Sequence, residues 1–340
     1  MALPAHVPLA VATRGDTVEC VHYGSIAVAD AKGKILWSVG DAHAPVFGRS
    51  ALKPFQAMPL LAHPEAGKYQ FTAREIAILC ASHSGEPRHA DAVLGVLGKA
   101  GCHLRDLQCG VHPPLYLEAL EQRPHAEDIY TPVHHNCSGK HAGMLALARL
   151  LQAPTATYLE SQHPVQQAIR GCVAHFTGVP AADLAAGVDG CSAPNYAVPL
   201  SALAAAYARL GDPAPDACYG DAPARVYDAM TRHPELVSGL KRFDLALTHT
   251  GHGEWISKGG AEGVQCLSVR RHGFGVAIKI ADGATRAAQT ATVETLRQLE
   301  LLPKPEDTPL RDYRRLSLLN VRGIQTGEVY PVYVLRRDAG

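Results

Sequence analysis

Two hydrophobic patterns divide the chain. Short runs rich in β-branched and aromatic residues fill positions 8 to 47, where VECVHYGSIAVAD and KILWSVG read as strands joined by a turn at DAKGK. Helical spacing takes over from about residue 72 to 100. There TAREIAILCASHSGE and HADAVLGVLGKAG are interrupted at SHSGEP and stop at Gly101. Alanine- and leucine-rich stretches predict further helices over 139–151, 158–177, 192–210 and 221–234. Strand character returns in VQCLSVRRHGFGVAIKIADG, a hairpin turning near RHGFG, and ATRAAQTATVETLRQLELL reads as a helix. VRGIQTGEVYPVYVL closes the chain as strand, with Pro331 expected at an edge or an end.

Strands at both chain ends around a helical middle predict an α/β (α+β) fold. A mainly antiparallel sheet is drawn from about 8–47 and 264–340, and a helical lobe comes from about 50–250. A single domain over residues 1–340 is expected, with GDPAPDACYGDAP (211–223) as the clearest loop. A cleft between lobe and sheet is the expected place for a small-molecule site.

Composition narrows the partner. Hydrophobic residues at 47% and charged residues at 19% suit a full core, and 32 basic residues balance 32 acidic ones. Nucleic acid and a membrane surface are therefore not expected as partners, and a small uncharged or zwitterionic molecule is. MALPAHVPLAVATRGDTVEC has no basic region leading into a long apolar stretch, so no signal peptide is expected. No apolar run reaches the length of a spanning helix. Nine cysteines scatter without a paired framework, which points to reduced thiols and a cytoplasmic location.

The chemistry begins at GRSALKPFQAM. Ser50 and Lys53 are one turn apart if a helix starts near Ser50, and Pro54 is compatible only with the first turn of that helix. There the Ser50 hydroxyl and the Lys53 amine can touch, and backbone N–H groups favour a developing oxyanion. A helix cap followed by a surface lysine is the plain alternative. CASHSGEPRHAD places Ser82, His83 and Ser84 before a break, and SKGGAEGV places Lys258 beside a glycine pair that admits close backbone approach. The order S-x-x-K, S-x-S, K-G-G echoes the motif sets of serine β-lactamases and penicillin-binding proteins. HHNCSGKHAGMLALARLL brings Cys137, Lys140 and His141 to a helix start, and GVDGCSAPNYAVPL supplies Asp189 and Cys191 ahead of a further helix. Two thiolates with a nitrogen or oxygen ligand suit zinc, although the spacing matches no standard finger. Two buried small cysteines, or an anion-binding helix N-terminus, fit the same residues.

GRSALKPFQAMPLL, LCASHSGEPRHADAV, HHNCSGKHAGML, VDGCSAPNYAVPL and SKGGAEGV, in that order, resemble the successive blocks of the Rhizobium-type (class 3) L-asparaginases, the asparaginase II family. The resemblance implies a fold similar to serine β-lactamases and glutaminases, and hydrolysis of L-asparagine to L-aspartate and ammonia. It implies two Ser–Lys tandems, Ser50 with Lys53 and Ser82 with Lys258, with Ser50 the nucleophile. It also implies a zinc ion (Zn2+) held by Cys137, Lys140 and Cys191 that modulates substrate binding, and a homodimer. Arg49, Asp189 and His141 are the candidate substrate-binding residues, Arg49 for a carboxylate. Two rivals stand beside this reading: a β-lactam-type acyl-serine hydrolase and a non-catalytic zinc-dependent amino-acid binder.

Overall fold

Thr17–Asp30 shows how the sheet is anchored: its first half alternates toward solvent, while Gly24–Ala29 is buried on both faces. The structure, a computed structural model, describes residues 3–125, 127–302 and 304–338. Strands follow the chain as Val7–Arg14 (β1), Thr17–Asp30 (β2), Ile35–Val39 (β3), Pro45–Phe47 (β4), Ala185–Val188 (β5) and Pro194–Pro199 (β6). Then come Trp255–Gly260 (β7), Val264–Val269 (β8), Phe274–Ile280 (β9), Leu316–Leu319 (β10), Gln325–Pro331 (β11) and Arg336–Arg337 (β12). The helices are Lys53–Leu61 (α1), Ala73–Leu79 (α2), Pro87–Lys99 (α3), Tyr116–Ala119 (α4), Ser138–Leu150 (α5) and Pro164–Thr177 (α6). Leu200–Leu210 (α7), Ala222–Arg232 (α8), Pro234–Val237 (α9), Phe243–Thr250 (α10), Thr285–Gln298 (α11) and Arg311–Arg314 (α12) complete them.

Residue contacts divide the chain into two compact units. The first holds the residues up to Ala51, Val198–Arg209 and those from Thr250 onward. Its sheet runs β10-β11-β1-β2-β9-β8-β7, with β3 pairing both β2 and β12. Every one of these ladders is antiparallel, so strands from both chain ends build one mainly antiparallel sheet. Pro331, which has no N–H to give a ladder, ends β11. Helix α11 lies against β1, β8, β9 and β11 with its alanine-rich face inward. Helix α7 comes so close to β9 that a side chain at Gly275 would meet the Ala204 carbonyl.

The second unit holds Leu52–Ala197 and Leu210–His249 and is mostly helical. Helix α2 starts in a capping box: Thr72 Oγ1 accepts from the Glu75 N–H, and Glu75 accepts from the Thr72 N–H at 2.7 Å. Helix α5 is buried on every side except at Arg149. It reaches α2 through Gly139 and Gly143, where a β-carbon would strike the Ile78 carbonyl and the Leu79 side chain.

Two predicted helices are shorter than their composition suggests. Of 158–177, only Pro164–Thr177 is α-helix, because Pro164 sits at the first turn and cannot lie deeper in a helix. Of 192–210, PNYAVP forms β6 and the helix waits until Leu200. No helix among the described residues is long and apolar enough to cross a membrane.

Candidate active site

Ser50 lies in a single 3-10 turn, Arg49–Leu52, rather than in an α-helix, and α1 starts only at Lys53 with Pro54 in its first turn. The turn is sharp because Arg49 has φ +49°, the left-handed region that residues with a β-carbon rarely enter. Strain of this kind gathers at functional positions. Ser50 itself is half-buried.

Lys258 belongs to the same unit. It is fully buried on β7, opposite Cys266, and its Nζ donates to the Gly259 carbonyl at 2.8 Å. The glycine pair after it has a visible purpose. A β-carbon on Gly260 would stand 2.9 Å from the Gly48 oxygen and 3.3 Å from Arg49 Cβ. The end of β7 therefore presses on the turn that carries Ser50, and only glycine fits there.

The helical unit carries the other lysine. Lys53 is 1% exposed, and its Nζ donates to the Ala81 carbonyl at 2.6 Å, to Ser82 Oγ at 3.0 Å and to the Asn136 carbonyl at 3.3 Å. Three acceptors surround the amine, so its polar end is satisfied inside the protein. Ser82 is itself buried, and its N–H is tied to the Val237 carbonyl. Asn136 was not singled out by the sequence, because it contributes only a backbone oxygen.

His83, next in line, has no ionic role. Its Nδ1 accepts from the Gly85 N–H at 3.1 Å, so Nε2 carries the proton toward Ser138 Oγ at 2.9 Å, and Ser138 donates onward to the Val133 carbonyl. Burial, with the neighbouring His89 and Lys53 in support, holds this ring well below the usual histidine range.

Cys137, Lys140 and Cys191 do come together. Cys137 is the N-cap residue of α5, Lys140 lies in its first turn, and Cys191 sits in the turn of the β5–β6 hairpin. Lys140 Nζ donates to Cys191 Sγ at 2.9 Å, and all three side chains are buried. A hydrogen bond from Cys191, then Lys53 and Lys140, hold the Cys137 thiol well below the ordinary thiol range against the cost of burial. Donating to Cys137 pushes Cys191 up, and burial adds to this. For Lys140 burial acts downward, but the attraction of Cys191 and Cys137 outweighs it and the ammonium is held above its usual range. Two sulfurs and an amine nitrogen converging on one buried point are a donor set that zinc accepts, with a tetrahedral position to spare.

Asp189 shares the turn with Cys191. Its carboxylate accepts from the Gly190 N–H at 2.8 Å and from Asn195 Nδ2 at 3.2 Å. His141 is fully buried one residue past Lys140, and Tyr158 Oη lies 2.7 Å from its Nδ1. Tyr158 Oη also accepts from the Gln108 N–H at 2.9 Å, and its own proton directed at His141 Nδ1 places the imidazole proton on Nε2 in the arrangement that uses every donor. Burial, with Lys140 adding to it, holds this ring well below the usual histidine range, and Nε2 has no hydrogen-bond partner among the described residues. An unpaired buried donor of this kind is suited to a substrate acceptor.

A family model described as L-asparaginase II matches residues 10–331. Among curated proteins none matches the chain. Among solved structures the chain is similar to a crystal structure of Mglu in its native form, at 14% identity and a TM-score of 0.35, covering 81% of this chain and 63% of that one. A second crystal structure of native Mglu, in 4.3M NaCl, gives 17% identity and a TM-score of 0.38, covering 83% and 61%. The chain thus spans about six-tenths of the length of those solved chains.

Proposed function

The chain belongs to the L-asparaginase II family, and from that premise we propose that it is an amidohydrolase converting L-asparagine to L-aspartate and ammonia. The observation that carries the reading is the buried hydrogen bond from Lys53 to Ser82. A buried lysine bonded to one hydroxyl and two backbone carbonyls, with no carboxylate among those bonds, is suited to proton transfer rather than to a structural ion pair.

In this reading Ser50 attacks the side-chain amide carbon and Lys53 accepts its proton. Ser82 and Lys258 form the relay that passes this proton on from Lys53 to the leaving nitrogen, so that ammonia departs, Lys53 is again free to accept a proton and an acyl-enzyme remains. Water then hydrolyses the ester, with Lys53 again taking the proton. Backbone N–H groups of the Ser50 turn stabilise the oxyanion. Arg49 receives the substrate carboxylate, and Asp189 and His141 Nε2–H orient the polar groups of the amino acid.

Cys137, Cys191 and Lys140 would hold a zinc ion, which supplies a fixed positive charge beside the substrate groups. Lys140 must give up its proton to join, and the ion's charge replaces the one lost. The same reading includes a cytoplasmic location and a homodimer.

Ammonia release from L-asparagine, compared with hydrolysis of a chromogenic β-lactam, tests the assignment. Turnover of asparagine alone supports it. Turnover of the β-lactam alone, or asparagine binding without turnover, rejects it.

A further inference from the structure

Away from these residues, the end of α6 and the loop after α7 bring a second set of metal-type donors together. His175 Nε2, an Asp216 carboxylate oxygen and Cys218 Sγ all lie within 4.8 Å of one another. His175 and Asp216 already meet at 2.8 Å, each only partly exposed, and Cys218 is an exposed thiol. The scaffold around them is rigid. Asp216 and Gly220 exchange both backbone hydrogen bonds, at 2.8 and 2.9 Å, closing the loop into a small bridge. Asp216 Oδ1 accepts from the Cys218 and Tyr219 N–H groups, both at 2.8 Å, which leaves Oδ2 aimed at the imidazole. The Tyr219 ring lies 5.3 Å from the His175 ring and 5.5 Å from Phe176, so the imidazole is wedged in place. A carboxylate and an imidazole oriented by partners of their own are what ligating side chains need.

We infer that His175, Asp216 and Cys218 form a binding site for a zinc-class divalent cation, separate from the Cys137–Lys140–Cys191 cluster. The donor set decides the class. One thiolate, one imidazole and one carboxylate suit zinc, cobalt or nickel, whereas calcium and magnesium take oxygen ligands. Tetrahedral zinc places its ligand atoms about 3.5 Å apart. A rotation of the exposed Cys218 side chain supplies the contraction. On binding, the cysteine loses its proton to water, the Nε2 proton of His175 is exchanged through water to Nδ1, the His175–Asp216 hydrogen bond gives way to two metal bonds, and water fills the fourth position. The ion would then pin the last turn of α6 to the 211–223 loop. The site stands independently of the catalytic reading.

Metal-stripped full-length protein, dialysed against zinc and measured by elemental analysis, tests the site. The native protein should retain one equivalent more than either Cys218→Ser or His175→Ala. Cobalt titration gives a second readout: in a Cys137→Ser/Cys191→Ser background a thiolate-to-cobalt band should persist, and Cys218→Ser should remove it. Equal zinc content in the native protein and Cys218→Ser overturns the proposal. Because Cys218 is exposed, its replacement leaves the fold intact and that comparison decides even if the cysteine background does not fold.

Discussion

Lys53 Nζ stands 3.0 Å from Ser82 Oγ, 29 positions away along the chain, and the same nitrogen satisfies the Ala81 and Asn136 carbonyls. The lysine is therefore both a buried amine that ties segments of the helical unit together and the partner of a hydroxyl. These two roles separate experimentally. Lys53→Met removes the donor to the Ala81 carbonyl, while the Asn136 carbonyl keeps the His83 N–H at 3.2 Å, so the loss should be about 1–3 kcal/mol. Ser82→Ala removes a single acceptor and should cost about 1 kcal/mol. In kcat/KM, the double variant should be no worse than Lys53→Met alone, since residues acting as a unit are non-additive. Strictly additive losses would show that the contact is structural only.

The thiol cluster leads to a metal prediction. On the proposed function, Cys137→Ala or Cys191→Ala should abolish zinc binding and raise KM for asparagine more than it lowers kcat, because in that proposal the ion positions substrate while Ser50 supplies the nucleophile. Elemental analysis of native protein that finds no zinc sinks this part of the account.

Gly139 tests how the cluster is positioned. Its missing side chain lets α5 touch the Ile78 carbonyl, so Gly139→Ala must shift α5 and with it Cys137 and Lys140. Overpacking against backbone should cost at least about 2 kcal/mol. Thermal unfolding and zinc content should fall together; an unchanged midpoint would mean that the close approach is not needed.

Stability in acid turns on Glu294. Its buried carboxylate meets Arg297 at 2.7 Å, Arg314 at 2.7 Å and Gln298 at 2.9 Å. Burial alone would raise its pKa, but these three bonds outweigh it and hold the group below the ordinary glutamate range. The unfolded chain therefore takes up the proton more readily. The stabilisation is present above about pH 4.3 and drains away as pH falls through the lower native value. Glu294→Gln should cost about 1–2 kcal/mol at neutral pH, the arginines being partly exposed, and almost nothing in strong acid. A pH-independent difference in denaturant unfolding would contradict this.

Local chemistry accounts for what the sequence revealed. The end strands, the Gly33 turn with φ +88° and the loop around Asp216 were marked by β-branched runs and by glycine, proline and aspartate. The helices that shrank contained their own warnings, Pro164, Pro194 and Pro199, which alanine-rich composition masked. Five ordered motifs single out the candidate residues in the sequence, but not the partners the structure gives them. Lys53 reaches two backbone carbonyls that have no side-chain signature, and Tyr158, which sets the His141 tautomer, stands 17 positions away in an unmarked turn. The left-handed Arg49 before Ser50 was equally silent, since that position is normally left to glycine, asparagine or aspartate.

The central claim is that Ser50 is the nucleophile of an asparagine amidohydrolase, and steady-state ammonia release by Ser50→Ala tests it most directly. Folded Ser50→Ala protein, matched to native by circular dichroism, should lose at least about a thousandfold in kcat. Ammonia release within about tenfold of native would contradict it.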